Sequence, residues 1–173
     1  ISIGDPDLDP IRNFNPVQGE NSGLFAQSQG LSSSDNITIN TNQLTVEQGG
    51  QIATSTELGS AGSVLINSIE GIDPASKIAL ESGSIIAQAQ NSPDDLSIDN
   101  SNSRAGNVTI NAFEIELANG SEISTNNEGS QVPVNEREKF GNILLQNLET
   151  LTVDNSLIST STETGDAGNV TVN

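Results

Sequence analysis

The chain has no cysteine, histidine, methionine, tryptophan or tyrosine, and four phenylalanines are its only aromatic residues. Without histidine or cysteine, it cannot form the histidine-based dyads and triads or the cysteine nucleophiles of common hydrolases. Without tryptophan and tyrosine, it lacks the aromatic platforms on which carbohydrate sites normally hold a sugar ring. The composition therefore argues against an enzyme of these classes and against a lectin-like groove.

Basic residues are also scarce, since 5 lysines and arginines face 23 aspartates and glutamates, for a net charge of -18. Nucleic-acid binding requires a basic footprint, so no nucleic-acid partner is expected, and anionic membrane surfaces are disfavoured in the same way. No apolar run approaches the roughly 20 residues of a membrane span. The first residues lack the basic and apolar regions of a signal peptide, and we expect an internal or processed piece of a longer chain.

The sequence does contain a repeat. Its signature is Gly or Asp, then Asn or Ser, then an apolar-x-apolar triplet, and it occurs at 35–39, 62–66, 106–110, 141–145 and 168–172. The residues that follow the five copies are Asn40, Asn67, Asn111, Gln146 and Asn173. The shortest interval between copies is therefore 27 residues, a period that indicates a solenoid or similar array.

Two of the intervals between signatures are longer, and their excess lies in three insertions near 69–77, 91–104 and 130–139. Each insertion contains a proline, which lacks the N–H that a strand ladder needs. We therefore expect loops at these three places.

Each period offers three short segments of strand-type alternation: the signature, a second segment such as Leu44-x-Val46, and an anchor strand. Glycine and asparagine pairs between them accept left-handed backbone angles at corners. Three strands and three corners fit one coil of a parallel β-helix, whereas 27 residues are too few for a propeller blade. We predict an all-β, right-handed parallel β-helix, a solenoid of four to five coils with loop insertions, whose hand follows from the rule for parallel crossovers.

Stacking the coils turns the repeat into columns of aliphatic side chains inside the helix, each contributing about 1.5–3 kcal/mol when buried. The predicted core columns comprise Ile37, Val64, Val108, Ile143 and Val170, then Ile39, Ile66, Ile110, Leu145 and Val172, and in the anchor strand Ile52, Ile86, Ile123 and Ile158. Threonines of the anchor strands, such as Thr54 and Thr125, are expected to form rows of hydroxyls on the outer face.

Asparagines at the corners are predicted to form ladders, in which side-chain amides bond one coil to the next. One row follows the signature and a second lies within it. The predicted ladder residues are Asn40, Asn67, Asn111, Asn107, Asn142 and Asn169.

The part of the chain before the first signature, 1–34, is predicted to be an irregular leader with an incomplete coil, and 35–173 is predicted to form the β-helix repeats. Within the leader, 22–28 is similar to the anchor strand at 83–88. The length and the continuous period predict one domain.

No cofactor is expected, and calcium is the metal ion that the acidic clusters suit best, because it takes carboxylate oxygens. The candidate calcium ligands are Asp5, Asp7, Asp9, Asp94, Asp95 and Asp99. Neither cluster completes a known calcium loop, since the first has Pro16 where an EF-hand needs its bidentate glutamate. A solvated acidic loop is the simpler interpretation.

Two segments, Gly-Asp-Ala-Gly-Asn-Val-Thr-Val-Asn at 165–173 and Ala-Asn-Gly-Ser-Glu-Ile-Ser-Thr at 118–125, resemble repeats of large secreted exoproteins of the filamentous-haemagglutinin type. The resemblance covers about residues 20–173 and is nearest to adhesin-like or surface-layer-like members common in cyanobacteria. It implies a right-handed β-helix, two-partner secretion, and a place at the cell surface or in an extracellular filament, within a far longer protein.

We therefore expect a non-enzymatic structural or adhesive module of an extracellular surface protein or filament. It would extend a stiff acidic rod and stack end to end, with other copies or a continuation of the same chain as its partner. The alternative is a carbohydrate-binding or carbohydrate-active β-helix, whose insertion loops meet surface glycans. Its acids would be one of three carboxylate pairs, Asp94 with Asp95, Glu114 with Glu116 or Glu47 with Glu81.

Overall fold

The computed structural model describes residues 2–3 (backbone only), 22–28, 32–57, 59–90, 104–127, 141–162 and 167–173. Within these ranges the chain forms fifteen strands. They are β1 (Ser2–Ile3), β2 (Gly23–Ser28), β3 (Ile37–Ile39), β4 (Gln43–Glu47), β5 (Gln51–Thr56), β6 (Val64–Ile66), β7 (Lys77–Glu81), β8 (Ser84–Ala89), β9 (Val108–Asn111), β10 (Glu114–Ala118), β11 (Glu122–Asn127), β12 (Ile143–Gln146), β13 (Thr150–Val153), β14 (Leu157–Thr162) and β15 (Val170–Val172).

The strands form three parallel sheets in which hydrogen-bonded neighbours are three strands apart along the chain. Sheet A has the order β1-β4-β7-β10-β13, sheet B β2-β5-β8-β11-β14, and sheet C β3-β6-β9-β12-β15. Each successive set of three strands is therefore one coil, and the five coils form the predicted parallel β-helix. At about 4.8 Å per coil, the stack of strands rises roughly 20–25 Å.

The core lies between the three sheets and is built from alternate residues of each strand. In sheet A, Leu44, Ile78 and Ile115 stand opposite one another and are almost completely buried. In sheet C, Val64, Val108 and Ile143 also stand opposite one another and are fully buried. Because paired strands are in register, each apolar side chain packs on its counterpart in the coils above and below, which produces the predicted aliphatic columns.

The prediction that Ile86 belongs to a core column is wrong. In sheet B, Ile85 rather than Ile86 stands opposite Ile52 and Ile123, and Ile85 is fully buried. Ile86 is half-buried and stands opposite Ala53, in the row that faces away from the core. A shift of one residue along a strand exchanges its two faces, so only one of two adjacent isoleucines can enter the core.

The corner between sheets A and B has left-handed backbone in each of the four coils in which this corner is described. A non-glycine residue at the start of this corner has positive φ in four successive coils, at Gln48, Ser82, Asn119 and Asn155. Two of the corners contain an additional left-handed glycine, for example Gly120 after Asn119. The glycine and asparagine pairs thus mark corners, although glutamine and serine also adopt this conformation here.

The leader contributes strands as well. Segment 23–28 is β2 and pairs with β5 over six residues, while β1 pairs with β4 through Ser2 and Ile3. The predicted insertion near 69–77 lies in a loop between β6 and β7. Almost all of the insertions near 91–104 and 130–139 lies outside the described residues.

Candidate functional site

A ladder of polar side chains runs along one corner of sheet C and joins all five coils. The side-chain oxygen of Asn36 accepts the backbone N–H of Ser63 at 2.7 Å, and the hydroxyl of Ser63 accepts that of Asn107 at 3.1 Å. The Asn107 amide oxygen accepts the N–H of Asn142 at 2.9 Å, and the Asn142 oxygen accepts that of Asn169 at 2.8 Å. Each of these side chains therefore satisfies a backbone donor of the next coil, which couples the coils through their corners.

The second row of asparagines, after the signature, makes more varied bonds. Asn67 is buried, accepts the N–H of Thr41 at 2.8 Å, and donates to the carbonyls of Thr41 at 2.8 Å and Asp73 at 2.9 Å. Asn111, one coil further, donates to the Asn67 carbonyl at 2.9 Å. Asn40 is exposed and no side-chain hydrogen bond joins it to Asn67, so this row is a ladder from Asn67 onward.

Three of the four signature glycines are required by close packing of backbone on backbone, whereas the fourth, Gly141, has a φ of +68° and no such contact. A Cβ built at Gly62 would overlap the carbonyl oxygen of Asp35, one at Gly106 would overlap that of Gly62, and one at Gly168 would overlap that of Gly141. The coils thus approach one another at this corner too closely for a Cβ at these three positions. The same corner carries the first ladder, so the Gly-Asn pair serves both contacts.

The threonines of the anchor strands point inward, and the prediction of an outer threonine row is wrong for Thr54 and Thr125. Both are buried, and each hydroxyl donates to a glycine carbonyl at 2.5 Å, Thr54 to Gly62 and Thr125 to Gly141. The satisfied hydroxyl can therefore occupy an interior position that a polar residue would otherwise avoid. Ala87 takes this place in the third coil.

The last coil exposes the members of the core columns. Four residues that continue inward columns of sheets A and C are exposed there: Leu151, Val153, Val170 and Val172. In the coil before, their partners Ile115, Leu117, Ile143 and Leu145 are fully buried. This face (the coil-end face) is therefore an apolar surface with strand edges on three sides.

Among the described residues, a cluster of one lysine and two glutamates lies on the outer face of sheet A. The Nζ atom of Lys77 lies 2.9 Å from an oxygen of Glu114 and 2.6 Å from one of Glu116. Hydrogen bonds to Glu116 and then Glu114 raise the pKa of Lys77 above its ordinary value. Both carboxylates of this candidate acid pair are therefore engaged by one ammonium group.

A second candidate pair, Glu47 and Glu81, consists of direct neighbours in the register of β4 and β7, and the third, Asp94 and Asp95, lies outside the described residues. The Glu81 carboxylate accepts a hydrogen bond from the Asn119 amide at 3.2 Å. In the described ranges, no group of three or more acidic residues is placed to hold a metal ion. The six candidate calcium ligands, in 5–9 and 94–99, lie outside those ranges.

The β6–β7 loop, residues 67–76, is the described insertion and presents an apolar tip. Ile69 and Ile72 are 48% and 37% exposed. The sequence predicted this loop but not the exposure of its two isoleucines. The run Ile-Glu-Gly-Ile, within an insertion that contains a proline, could have indicated that apolar residues lie in a loop. No sequence pattern indicated the inward threonine hydroxyls, because the alternation of apolar and polar residues does not show which hydroxyl has a backbone carbonyl within hydrogen-bond distance.

Comparison of the chain with protein-family models, curated proteins and solved structures found no match in any of the three. The described residues include no helix long and apolar enough to cross a membrane. The geometry of the coils and their surfaces is therefore the basis for a functional proposal.

Proposed function

We propose that this chain is a non-enzymatic structural module of an extracellular surface protein or filament, which extends a stiff acidic rod and presents its insertion loops. The observation that carries the proposal is the first corner ladder. From Asn36 to Asn169, polar side chains at one corner are used to bond one coil to the next. These residues serve cohesion of the stack.

The interior supports the same role. Each of the three sheets contributes aliphatic columns that run from coil to coil. The inward hydroxyls of Thr54 and Thr125 bond to backbone carbonyls. Close packing of this kind makes a stack stiff, because every coil is held by its neighbours. Abundant exposed acid keeps such a rod soluble, and the net charge of -18 fits that requirement.

The coil-end face supports association through a further coil of the same geometry, supplied by another copy or by a continuation of the chain. A coil placed on β13, β14 and β15 would extend the columns of Leu151 and Val170 and pair their strand edges. A contact between the two different ends of a copy is heterologous and generates a filament. Unpaired strand edges otherwise favour uncontrolled aggregation.

Two measurements test stacking between copies. We expect sedimentation velocity to show particles that grow with protein concentration, and cryo-electron microscopy to show rods with an axial repeat. The double variant Leu151→Glu, Val170→Glu should remain monomeric, because it places charge on the coil-end face. The variant Thr45→Glu, changed on the outer face of sheet A, is the matched control and should still associate. Monomers at every concentration would show that copies do not stack.

Surface location has its own test. Immunogold labelling of intact producing cells should decorate the cell exterior, whereas label found only after permeabilisation would contradict an extracellular role.

The alternative, a carbohydrate-binding β-helix, requires a saturable site in the insertion loops. A polysaccharide array probed with the purified chain should show no saturable binding if the module is structural.

A further inference from the structure

The β6–β7 loop departs from the usual composition of an exposed loop. Its tip, 69–73, is exposed at every residue and contains two isoleucines. The N–H of Ile72 donates to the carbonyl of Ile69 at 3.1 Å, and Gly71 has φ of +84°, as expected at the third position of a type II turn. Such a turn places the α-carbons of the two isoleucines within about 7 Å of each other, so both exposed side chains belong to one short apolar tip.

The loop is braced at its base. Asn67, at its start, is buried and holds the Asp73 carbonyl at 2.9 Å together with the backbone of Thr41. Ala75, near its end, is fully buried, and its N–H donates to the Asn111 carbonyl at 3.0 Å. A loop held at both ends loses little conformational entropy when it binds, which favours recognition.

A third exposed apolar residue belongs to the same corner. Phe113, in the next coil, donates its N–H to the carbonyl of Ala75 at 2.8 Å and is 41% exposed. The apolar tip therefore has an aromatic residue beside its base. Exposed apolar groups gathered on a braced element are typical of interaction sites.

The charges around the tip indicate the chemistry of the partner. Glu70 lies between the two isoleucines, Asp73 follows them, and both are exposed. These two carboxylates disfavour contact of the tip with an acidic surface, such as an anionic membrane. Charge complementarity favours a protein surface with lysine or arginine around an apolar pocket.

We propose that the β6–β7 loop is a recognition element that inserts Ile69 and Ile72 into an apolar pocket rimmed by basic residues on a partner protein. The inference rests on the proposed function, because the stiff rod is the scaffold that presents the loop to a partner. It adds to that function the location and the chemical class of one contact.

The test uses two synthetic probes, a peptide of alternating leucine and lysine and a peptide of alternating leucine and glutamate. Each is titrated into the full chain with labelled isoleucine methyl groups, and methyl chemical shifts are followed by NMR. We expect saturable shifts at Ile69 and Ile72 with the lysine peptide only. Shifts spread over isoleucines elsewhere, equal binding of the glutamate peptide, or no shift would overturn the proposal.

Variants distinguish peptide binding at the tip from nonspecific binding to other exposed apolar residues. Ile69→Ser with Ile72→Ser should weaken binding of the lysine peptide by about tenfold or more, because two apolar side chains no longer leave water. Leu157→Ser removes another exposed aliphatic, on β14, and should leave binding unchanged. Glu70→Gln with Asp73→Asn should weaken binding and flatten its dependence on salt.

An unchanged affinity in the double serine variant would refute the recognition role, provided that its thermal unfolding matches that of the wild type. An altered unfolding curve calls for the milder pair Ile69→Ala, Ile72→Ala, for which the same loss of affinity is expected. Failure of peptide binding leaves particle length and concentration dependence unchanged, so it is distinguishable from failure of the proposed rod.

Discussion

The α-carbon of Gly106 packs directly beneath the carbonyl oxygen of Gly62 in the preceding coil, with no room for a Cβ between them. Gly106→Ala should therefore push two coils apart and lower the free energy of unfolding by about 3 kcal/mol or more. Urea unfolding monitored by circular dichroism measures the change. Gly71→Ala is the control, since Gly71 has positive φ but open space around it, and should cost about 1–2 kcal/mol. Equal costs would mean that backbone contact is not what requires Gly106.

The two adjacent isoleucines of β8 should differ sharply in their contribution. Ile85→Ala removes a fully buried side chain and should lower the free energy of unfolding by about 2–5 kcal/mol. Ile86→Ala affects a half-buried residue on the outer face and should cost about 1 kcal/mol or less. Parallel urea titrations compare the two variants, and a larger loss for Ile86 would contradict the register of sheet B.

The inward hydroxyl of Thr125 should stabilise the stack through its bond to Gly141. Thr125→Val keeps the shape of the side chain but removes the donor to a buried carbonyl, which should cost about 1–3 kcal/mol. Thr152→Val, at an exposed position of β13, should change stability by less than about 0.5 kcal/mol. Differential scanning calorimetry of the two variants gives the comparison, and a neutral Thr125→Val would remove the role assigned to this hydroxyl.

The ladder predicts that an oxygen acceptor, rather than asparagine itself, is required at its positions. Asn107→Ala leaves the N–H of Asn142 without its acceptor and should cost about 1–2 kcal/mol. Asn107→Ser should recover part of this loss, because Ser63 performs the same task one coil earlier. Hydrogen exchange at the Asn142 amide reports the bond directly, and should become faster in the alanine variant than in the serine variant.

Lys77 gives stability a dependence on alkaline pH. Its pKa is raised in the folded state by Glu116 and Glu114, so its stabilising effect is complete below the unfolded pKa of about 10.4 and is lost as pH rises through the folded pKa. The stability difference between the wild type and Lys77→Met should therefore shrink above about pH 10.4. Lys77→Arg, which stays charged, should retain its difference from Lys77→Met across that range. Urea unfolding at several pH values measures both, and a difference that grows with pH would contradict the ion pair.

Much of the stack was predictable because its coils repeat. The signature columns of Val64 and Val108 follow from alternation alone, and the similarity of 22–28 to 83–88 located β2. The anchor of the third coil was not predictable, since an insertion precedes it and Ile85 and Ile86 are equally apolar. Cross-strand pairing with Ile52 decides between them, and a single sequence does not contain that information.

The sequence by itself determined the class of fold, because a period of 27 residues with three alternating segments can bury its apolar side chains only when coils stack. Tertiary structure alone decided which polar residues face inward. Thr54 is buried because the Gly62 carbonyl of its own coil lies within reach, a relation between residues on two strands. It also decided how the β6–β7 loop presents its apolar tip, because Asn67 orders this loop through bonds to Thr41 in the preceding coil.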